Sequence, residues 1–310
     1  MDDRDKNNQS WIQIRRVGAE KEIKLFVVVE FLRLLLYAWF LLIVVVGTTL
    51  TRLCVEEDYK KTVTSIFGAL NICAMFDFPP STYVLPSMYA VLLIFVYHYS
   101  VASIVRAWIA KEEGKMSGAA FILYSCTFIY FSLSAAIFST IFAVQPNPNE
   151  PKTILIHTLP FTNLIIALTS LQIAVTWFGI SISWMHLNTP TYLRFGSIVC
   201  VGGLVVTSIF KVLQQINSLG DLGVGNQGVA TGKGMWYNVS DDTLGVVHQV
   251  VDASWMMFAF VGPMFQSLYI TCKKFDTHGV IITFGDNRKA KDTENNYQTK
   301  LLLGGKHDTI

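Results

Sequence analysis

The run FVVVEFLRLLLYAWFLLIVVVGTTL, residues 26–50, decides the fold of this 310-residue chain. Only two of its side chains are charged, Glu30 and Arg33. A helix needs about 20 mostly apolar residues to cross the hydrocarbon core, where lipid cannot hydrogen-bond to backbone amides. The run therefore predicts a transmembrane helix, and residues 1–25 are expected to form a cytoplasmic N-terminal segment.

Five more stretches pass the same test of length and hydropathy. The six predicted spans are residues 26–50, 85–109, 119–144, 161–185, 193–213 and 250–270. We therefore predict an all-α integral membrane protein, a six-transmembrane-helix bundle with cytoplasmic N- and C-termini and a membrane domain over residues 26–270. Outer loops are expected near residues 51–84, 145–160 and 214–249, followed by a flexible cytoplasmic tail over 271–310.

Composition excludes the common soluble classes. The chain is 52% hydrophobic and 15% charged, whereas soluble domains carry about 25% charged residues. The net charge of +2 provides no basic field of the kind that holds nucleic-acid phosphates. We therefore predict a lipid-embedded protein that binds no nucleic acid.

Lysine and arginine set the predicted orientation. With the N-terminus inside, 17 of the 24 basic residues fall in inner segments and six in outer segments, while Arg33 lies within the first span. Basic residues in short flanking segments resist translocation. The inner side is therefore assigned to the cytoplasm.

Several prolines mark expected irregularities in the helices. Pro86 and Pro160 are expected to open the second and fourth spans, because the first turn of a helix leaves its amide donors unpaired. Gly262-Pro263 is expected to bend the sixth span around its neighbours, since an interior proline removes a ladder hydrogen bond; a hinge at this point is the alternative.

Two features of the outer loops agree with that orientation. Asn238 begins an Asn-Val-Ser tripeptide, which is an acceptor for N-glycosylation. Cys54 and Cys73 both lie in the first outer loop, on the oxidising side, where a disulfide is plausible. The alternative for these two cysteines is that both are free and buried.

Polar residues at the outer end of the bundle form the candidate ligand or ion site. Antiparallel spans place Lys211 and Asp252 at similar depth, and three further residues come to the same rim. The set is Lys211, Asp252, His248, His157 and Asp77. A lysine can meet an anion, and the acid and histidines can exchange protons or bind a cation. The alternative is that Lys211 and Asp252 only form an ion pair that fixes helix packing.

Glu30 and Arg33 are the other charged residues at membrane depth. Their spacing of three places them on one helix face. We predict an intramembrane charge pair in which the Arg33 side chain extends to the inner headgroups. A role of this pair on a transport path is the alternative.

The sequence contains no motif for a metal, a haem or a nucleotide. The glycine-rich run 220–234 departs from a phosphate-binding loop, because three residues instead of four separate Gly228 from Gly232-Lys233 and no Ser or Thr follows Lys233. His98 is the only histidine near mid-membrane, whereas a bis-histidine haem needs two; it is expected to hydrogen-bond a neighbouring helix. We therefore predict no cofactor, no metal and no catalytic residues.

Three functions compete. The first is a non-enzymatic accessory, adhesion or trafficking component that acts through outer loops and tail, with a membrane-protein partner or a second copy. Its last residues are Asp308, Thr309 and Ile310, which a carboxylate-binding strand-addition module can read. The second is a small-solute or ion transporter or channel that uses the outward-facing polar site, and the third is a lipid-handling enzyme. The expected location is the plasma membrane or a late secretory or endolysosomal membrane.

Overall fold

The structure is a computed structural model that describes residues 12–17, 20–54, 79–144, 151–181, 190–221, 250–272 and 279–284. Side chains are described for residues 28–50, 53–54, 79–144, 155–156, 158–178, 190–213 and 250–272. Asp77, Cys73, Asn238, His248 and the last three residues lie outside the described part. So does the side chain of His157.

Six long helices confirm the predicted bundle. They are α1 (Val29–Cys54), α2 (Ser81–Glu112), α3 (Gly118–Phe138), α4 (Pro151–Ser181), α5 (Thr191–Asp221) and α6 (Val250–Cys272). A short 3-10 turn, Ser139–Phe142, continues α3. All six are long and apolar enough to cross a membrane. The protein is therefore a multi-pass, membrane-embedded helical bundle.

The helices form a closed ring. Each helix packs against the next one in the chain, and α6 packs against α1. Tyrosine, serine and tryptophan side chains bridge neighbours: Tyr89 Oη donates to the Ala135 carbonyl at 2.6 Å, and Trp39 Nε1 donates to the Met88 carbonyl at 2.8 Å. Such bonds support helix association in lipid, where the hydrophobic effect does not drive helices together.

A three-stranded antiparallel sheet, which the sequence analysis did not predict, lies at one end of the ring. Its order is β1 (Ile12–Val17), β2 (Glu20–Val28) and β3 (Gly279–Phe284). In this register Val28 is opposite Gly279, and Ile23 is opposite Phe284. The strands before α1 and after α6 therefore lie on the same side of the bundle, which we call the inner end.

The sheet corrects two expectations. The first helix begins at Val29, because residues 26–28 belong to β2. Residues 279–284 form a strand, although the tail from 271 was expected to be flexible. The run Val280-Ile281-Ile282-Thr283-Phe284 is rich in β-branched and aromatic residues that favour strands, and a search for helical periodicity alone overlooks it.

The prolines lie deeper in their helices than expected. Pro86 and Pro160 are inside α2 and α4, and do not open them, because these helices extend beyond the hydrocarbon-length runs. In α6 the turn before Gly262-Pro263 is a π-helical segment, Met257–Val261. A widened turn accommodates the proline ring, which would clash with the preceding turn of a regular helix.

The π-helical segment packs against α5. The end of the Phe258 ring lies over Gly203, so that a β-carbon at residue 203 would be 2.6 Å from the ring. Gly202 beside it has no atom within 4 Å of its own β-carbon position. The two adjacent glycines therefore differ sharply in what a methyl group would meet.

We expect Gly203→Ala to lower stability by about 1–3 kcal/mol, the usual cost of an overpacked contact. Gly202→Ala is the matched control, and should be neutral or stabilising by up to about 1 kcal/mol because alanine favours a helix. Thermal unfolding of the purified variants in detergent micelles measures both. Equal melting temperatures for the two variants would contradict the described α5–α6 contact.

Candidate functional sites: two buried charged clusters

The Arg33 side chain holds three helices together near the inner end. It is 1% exposed. Its Nη1 donates to Glu30 Oε2 at 3.4 Å, and its Nη2 donates to Gln172 Oε1 on α4 at 3.2 Å and to Gln266 Oε1 on α6 at 3.0 Å. The planar guanidinium carries five N–H donors in a fixed fork, so one side chain can serve several acceptors on different helices.

The two glutamines that accept from Arg33 also donate hydrogen bonds to further side chains. Because each glutamine oxygen accepts from Arg33, each amide nitrogen points away and needs an acceptor. Gln172 Nε2 donates to Tyr37 Oη on α1, and Gln266 Nε2 donates to Ser197 Oγ on α5. The hydrogen-bonded set therefore reaches α5 as well as α1, α4 and α6.

Glu30 supplies the negative charge and extends the set to α2. Its side chain is fully buried. Ser267 Oγ on α6 donates to Glu30 Oε2 at 3.1 Å, and Arg106 Nη2 on α2 lies 3.9 Å from Glu30 Oε1. We call this set the inner network; it consists of Glu30, Arg33, Tyr37, Arg106, Gln172, Ser197, Gln266 and Ser267.

The inner network differs from the predicted pair in one respect. Glu30 and Arg33 are in contact, as their spacing predicts. Arg33, however, does not extend to the headgroups, since Gln172 and Gln266 satisfy it inside the bundle. Arg106, near the inner end of α2, is also buried, at 7% exposure.

Lys211 and Asp252 form a second buried cluster toward the other end. Lys211 Nζ donates to Asp252 Oδ1, which joins α5 to α6. Their side chains are 1% and 9% exposed, and Lys211 Nζ lies 5.6 Å from the centre of the Phe161 ring, within the range of a cation–π contact. We call Lys211 and Asp252 the outer pair.

Neutral hydrogen bonds surround the outer pair. Trp255 Nε1 donates to Ser208 Oγ at 3.1 Å, and the Ser208 hydroxyl lies 2.8 Å from the Thr169 hydroxyl. Of the predicted outer polar set, the structure thus brings Lys211 and Asp252 together. His248, Asp77 and the His157 side chain lie outside the described residues, so the wider ligand site stays a prediction.

Cysteine and metal chemistry receive no support from the described residues. Cys54 is exposed and free, so the structure does not support the predicted Cys54–Cys73 disulfide. Cys73 and Asn238 lie outside the described part, and the glycosylation of Asn238 stays a prediction. Within the described ranges, no group of three His, Cys, Asp or Glu side chains is placed to hold a metal ion.

An apolar layer separates the two clusters. Asp252 and Gln266 are 14 residues apart on α6, which corresponds to about 21 Å of helix. Between them Phe260 stacks on Phe40 with ring centres 3.7 Å apart. The cavity beside these rings has a volume of about 20 Å³ and only apolar and tyrosine side chains line it, which is room for about one water molecule.

The sequence analysis missed the polar partners of Arg33. Gln172 and Gln266 were read as parts of apolar spans, although an amide inside a transmembrane helix is itself a sign of an interhelical bond. No sequence pattern shows that two amides 94 residues apart meet one guanidinium. That requires knowledge of helix order and rotation.

We expect Arg33→Met to destabilise the bundle by about 3–5 kcal/mol, because it removes one partner of a buried ion pair and leaves the Glu30 carboxylate poorly compensated. Arg33→Lys should recover only part of the loss, since an ammonium group cannot span Glu30, Gln172 and Gln266 at once. The measurement is unfolding of purified protein in mixed micelles at increasing denaturing detergent.

Lys115→Met is the matched control for loss of one basic group. Lys115 lies in the inner turn after α2, is 43% exposed and pairs with Glu113 at 2.7 Å. Exposed pairs contribute about 0–1 kcal/mol, so this variant should resemble the wild type. If Arg33→Met is no less stable than Lys115→Met, the inner network does not hold the helices together.

Comparison with known proteins finds no family model, no curated protein and no solved structure that matches this chain. Function therefore has to follow from the chemistry of the two clusters, the layer between them and the surfaces around them.

Proposed function

We propose that this chain is a non-enzymatic multi-pass membrane protein that binds other proteins, as an accessory, adhesion or trafficking component. Its binding segments are the outer loops and the cytoplasmic tail, including Asp308, Thr309 and Ile310. The observation that carries the proposal is the apolar layer between two buried clusters in which each charged side chain faces an opposite charge.

The charged side chains of the two clusters pair with one another. In the inner network the Glu30 carboxylate faces two arginines, and in the outer pair the Lys211 ammonium faces Asp252. A buried charge that already has a hydrogen-bonded partner does not need a solute to neutralise it. Both clusters therefore fit a role in fixing helix positions.

Transport requires a hydrated path or a site that opens to each side in turn. The aromatic stack of Phe40 and Phe260, and the water-sized cavity beside it, offer neither in this conformation. Trp255 and Phe161 pack in the same region with ring centres 6.0 Å apart. These contacts favour a rigid scaffold whose recognition surfaces lie outside the membrane.

A transporter or channel is the second candidate, and the buried outer pair favours it. Ionisable residues inside spans often mark ion or proton pathways, and Lys211 with Asp252 is such a pair. A lipid-handling enzyme ranks third, because Asp252, one of its candidate groups with His157 and His248, is already paired with Lys211. We place the protein in the plasma membrane or a late secretory or endolysosomal membrane.

Substitutions in the outer pair distinguish the scaffold role from a transport role. Asp252→Asn and Lys211→Met alone should each lower stability by about 3–5 kcal/mol, since each leaves one buried charge unpaired. The exchanged double variant Lys211→Asp/Asp252→Lys should regain much of this loss because the attraction is restored. Melting temperature and the yield of monodisperse protein measure the effect.

Flux measurements complete that test. Proteoliposomes that contain the wild-type protein should pass protons, sodium, potassium and chloride no faster than protein-free liposomes. The proposed scaffold role fails if the wild type carries a flux that the exchanged variant loses while it remains folded. In that case the outer pair acts on a solute and transport becomes the first candidate.

The outer segments provide the direct test of partner binding. Residues 222–249 connect α5 to α6, and a version with the same residues in scrambled order keeps length and composition. We expect cross-linking in intact cells to recover fewer protein neighbours with the scrambled version, at unchanged melting temperature. A matched scramble of residues 287–310 tests the tail, including its last three residues, separately; unchanged neighbours in both would contradict the proposal.

A further inference from the structure

The surface of α2 carries an exposed stripe that none of the other described helices covers. Its members are exposed, and they recur with the alternating spacing of three and four residues that pairs helices in coiled coils, except for one step of seven residues at the inner end. We call this stripe the α2 seam; it consists of Ser87, Ala90, Ile94, Tyr97, Val101 and Trp108. Many lipid-facing helices show such spacing, and what distinguishes this one is a polar pair at its centre.

The polar pair is Tyr97 with its neighbour His98. Tyr97 is 45% exposed, and His98 is exposed as well. His98 was expected to hydrogen-bond a neighbouring helix, but it points outward, and its Nδ1 lies 2.7 Å from the carbonyl oxygen of Ile94 in its own helix. The side chain therefore faces the lipid.

The contact with Ile94 determines the chemistry of the imidazole. A carbonyl oxygen can only accept, so Nδ1 carries the hydrogen and donates it. In a neutral imidazole the other nitrogen, Nε2, is then an acceptor. Tyr97 Oη is a donor that no hydrogen bond within the described residues engages. One helix face thus presents a donor and an acceptor side by side.

Water does not reach these groups at their depth. Tyr97 and His98 are in the middle of α2, which runs from Ser81 to Glu112, so roughly 20 Å of helix lies on either side. The hydrocarbon core is about 30 Å thick, and lipid tails offer neither donors nor acceptors. Both groups need a partner that is itself inside the membrane.

A second copy of this chain provides that partner. Two copies related by a twofold axis along the membrane normal place residues 97 and 98 of both at the same depth. Tyr97 Oη of one copy then donates to His98 Nε2 of the other, and the same bond forms a second time by symmetry. The small side chains of Ser87 and Ala90 on the same stripe permit close approach of the two helices.

We propose that the protein forms a twofold-symmetric dimer through the α2 seam, held by two reciprocal Tyr97–His98 hydrogen bonds within the membrane. The dimer is independent of the proposed partner-binding function, since the outer loops and tail of each copy remain available. It assigns a role to the polar pair that the bundle itself leaves facing lipid.

The test is energy transfer between donor-labelled and acceptor-labelled full-length protein in liposomes, measured over a series of protein-to-lipid ratios. The wild type should show transfer above the random level that falls on dilution with lipid. Tyr97→Phe and His98→Leu each remove both symmetric bonds, and each should weaken the dimer by about tenfold to a hundredfold.

Two controls show whether the loss of the Tyr97–His98 hydrogen bonds, and not any change to the helix surface, weakens the dimer. Tyr83→Phe removes a hydroxyl from the same helix near its outer end, where Tyr83 is 74% exposed and water is close; the dimer should be unchanged. The double variant Tyr97→Phe/His98→Leu should be no weaker than either single variant, because all three lack the same bonds.

Two results overturn the proposal. The first is a wild-type protein whose transfer stays at the random level at every lipid ratio, in which case another membrane protein or a lipid satisfies the pair. The second is a dimer that Tyr97→Phe and His98→Leu leave unchanged, which would place the interface on another face. Melting temperatures of all variants show that each remains folded.

Discussion

Burial of one guanidinium inside a membrane constrains much of this structure. An arginine at membrane depth is tolerated when it is paired and hydrogen-bonded, and Arg33 obtains its partners from its own helix and from α4 and α6. Those helices therefore have little freedom to rotate or slide, since a displacement of one turn would remove an oxygen from the guanidinium. The amide nitrogens of the two glutamines are fixed in turn, because they donate to the hydroxyls of Tyr37 and Ser197.

The outer pair applies the same principle with fewer groups. Lys211 and Asp252 join α5 to α6, while Trp255, Ser208 and Thr169 add neutral bonds between α4, α5 and α6. The bundle is thus fastened by polar groups at two levels and filled by aromatic side chains in between. This arrangement combines specific helix pairing at the two levels with close aromatic packing in the middle, and the proposed scaffold role depends on that combination.

The sequence predicts the six spans, their direction and the two charged pairs, because hydropathy, basic residues and helical spacing are local properties. It does not predict the sheet, since strands 251 residues apart in the register of Val28 with Gly279 leave no local pattern beyond strand propensity. Nor does it predict that Arg33 is satisfied internally or that His98 points outward. Both depend on how each helix is rotated within the ring, which packing determines.

The sheet has a consequence for biosynthesis. Protein synthesis adds about 5–20 residues per second, so β3 is made tens of seconds after β2. During that time one edge of β2 is unpaired and can bind other strands. β3 can pair only if it emerges on the same side of the bilayer as β2, which requires an even number of inserted helices between them. If one span fails to insert, β3 is delivered to the opposite compartment and cannot pair with β2. The sheet is therefore completed only in chains that have inserted an even number of helices between the two strands.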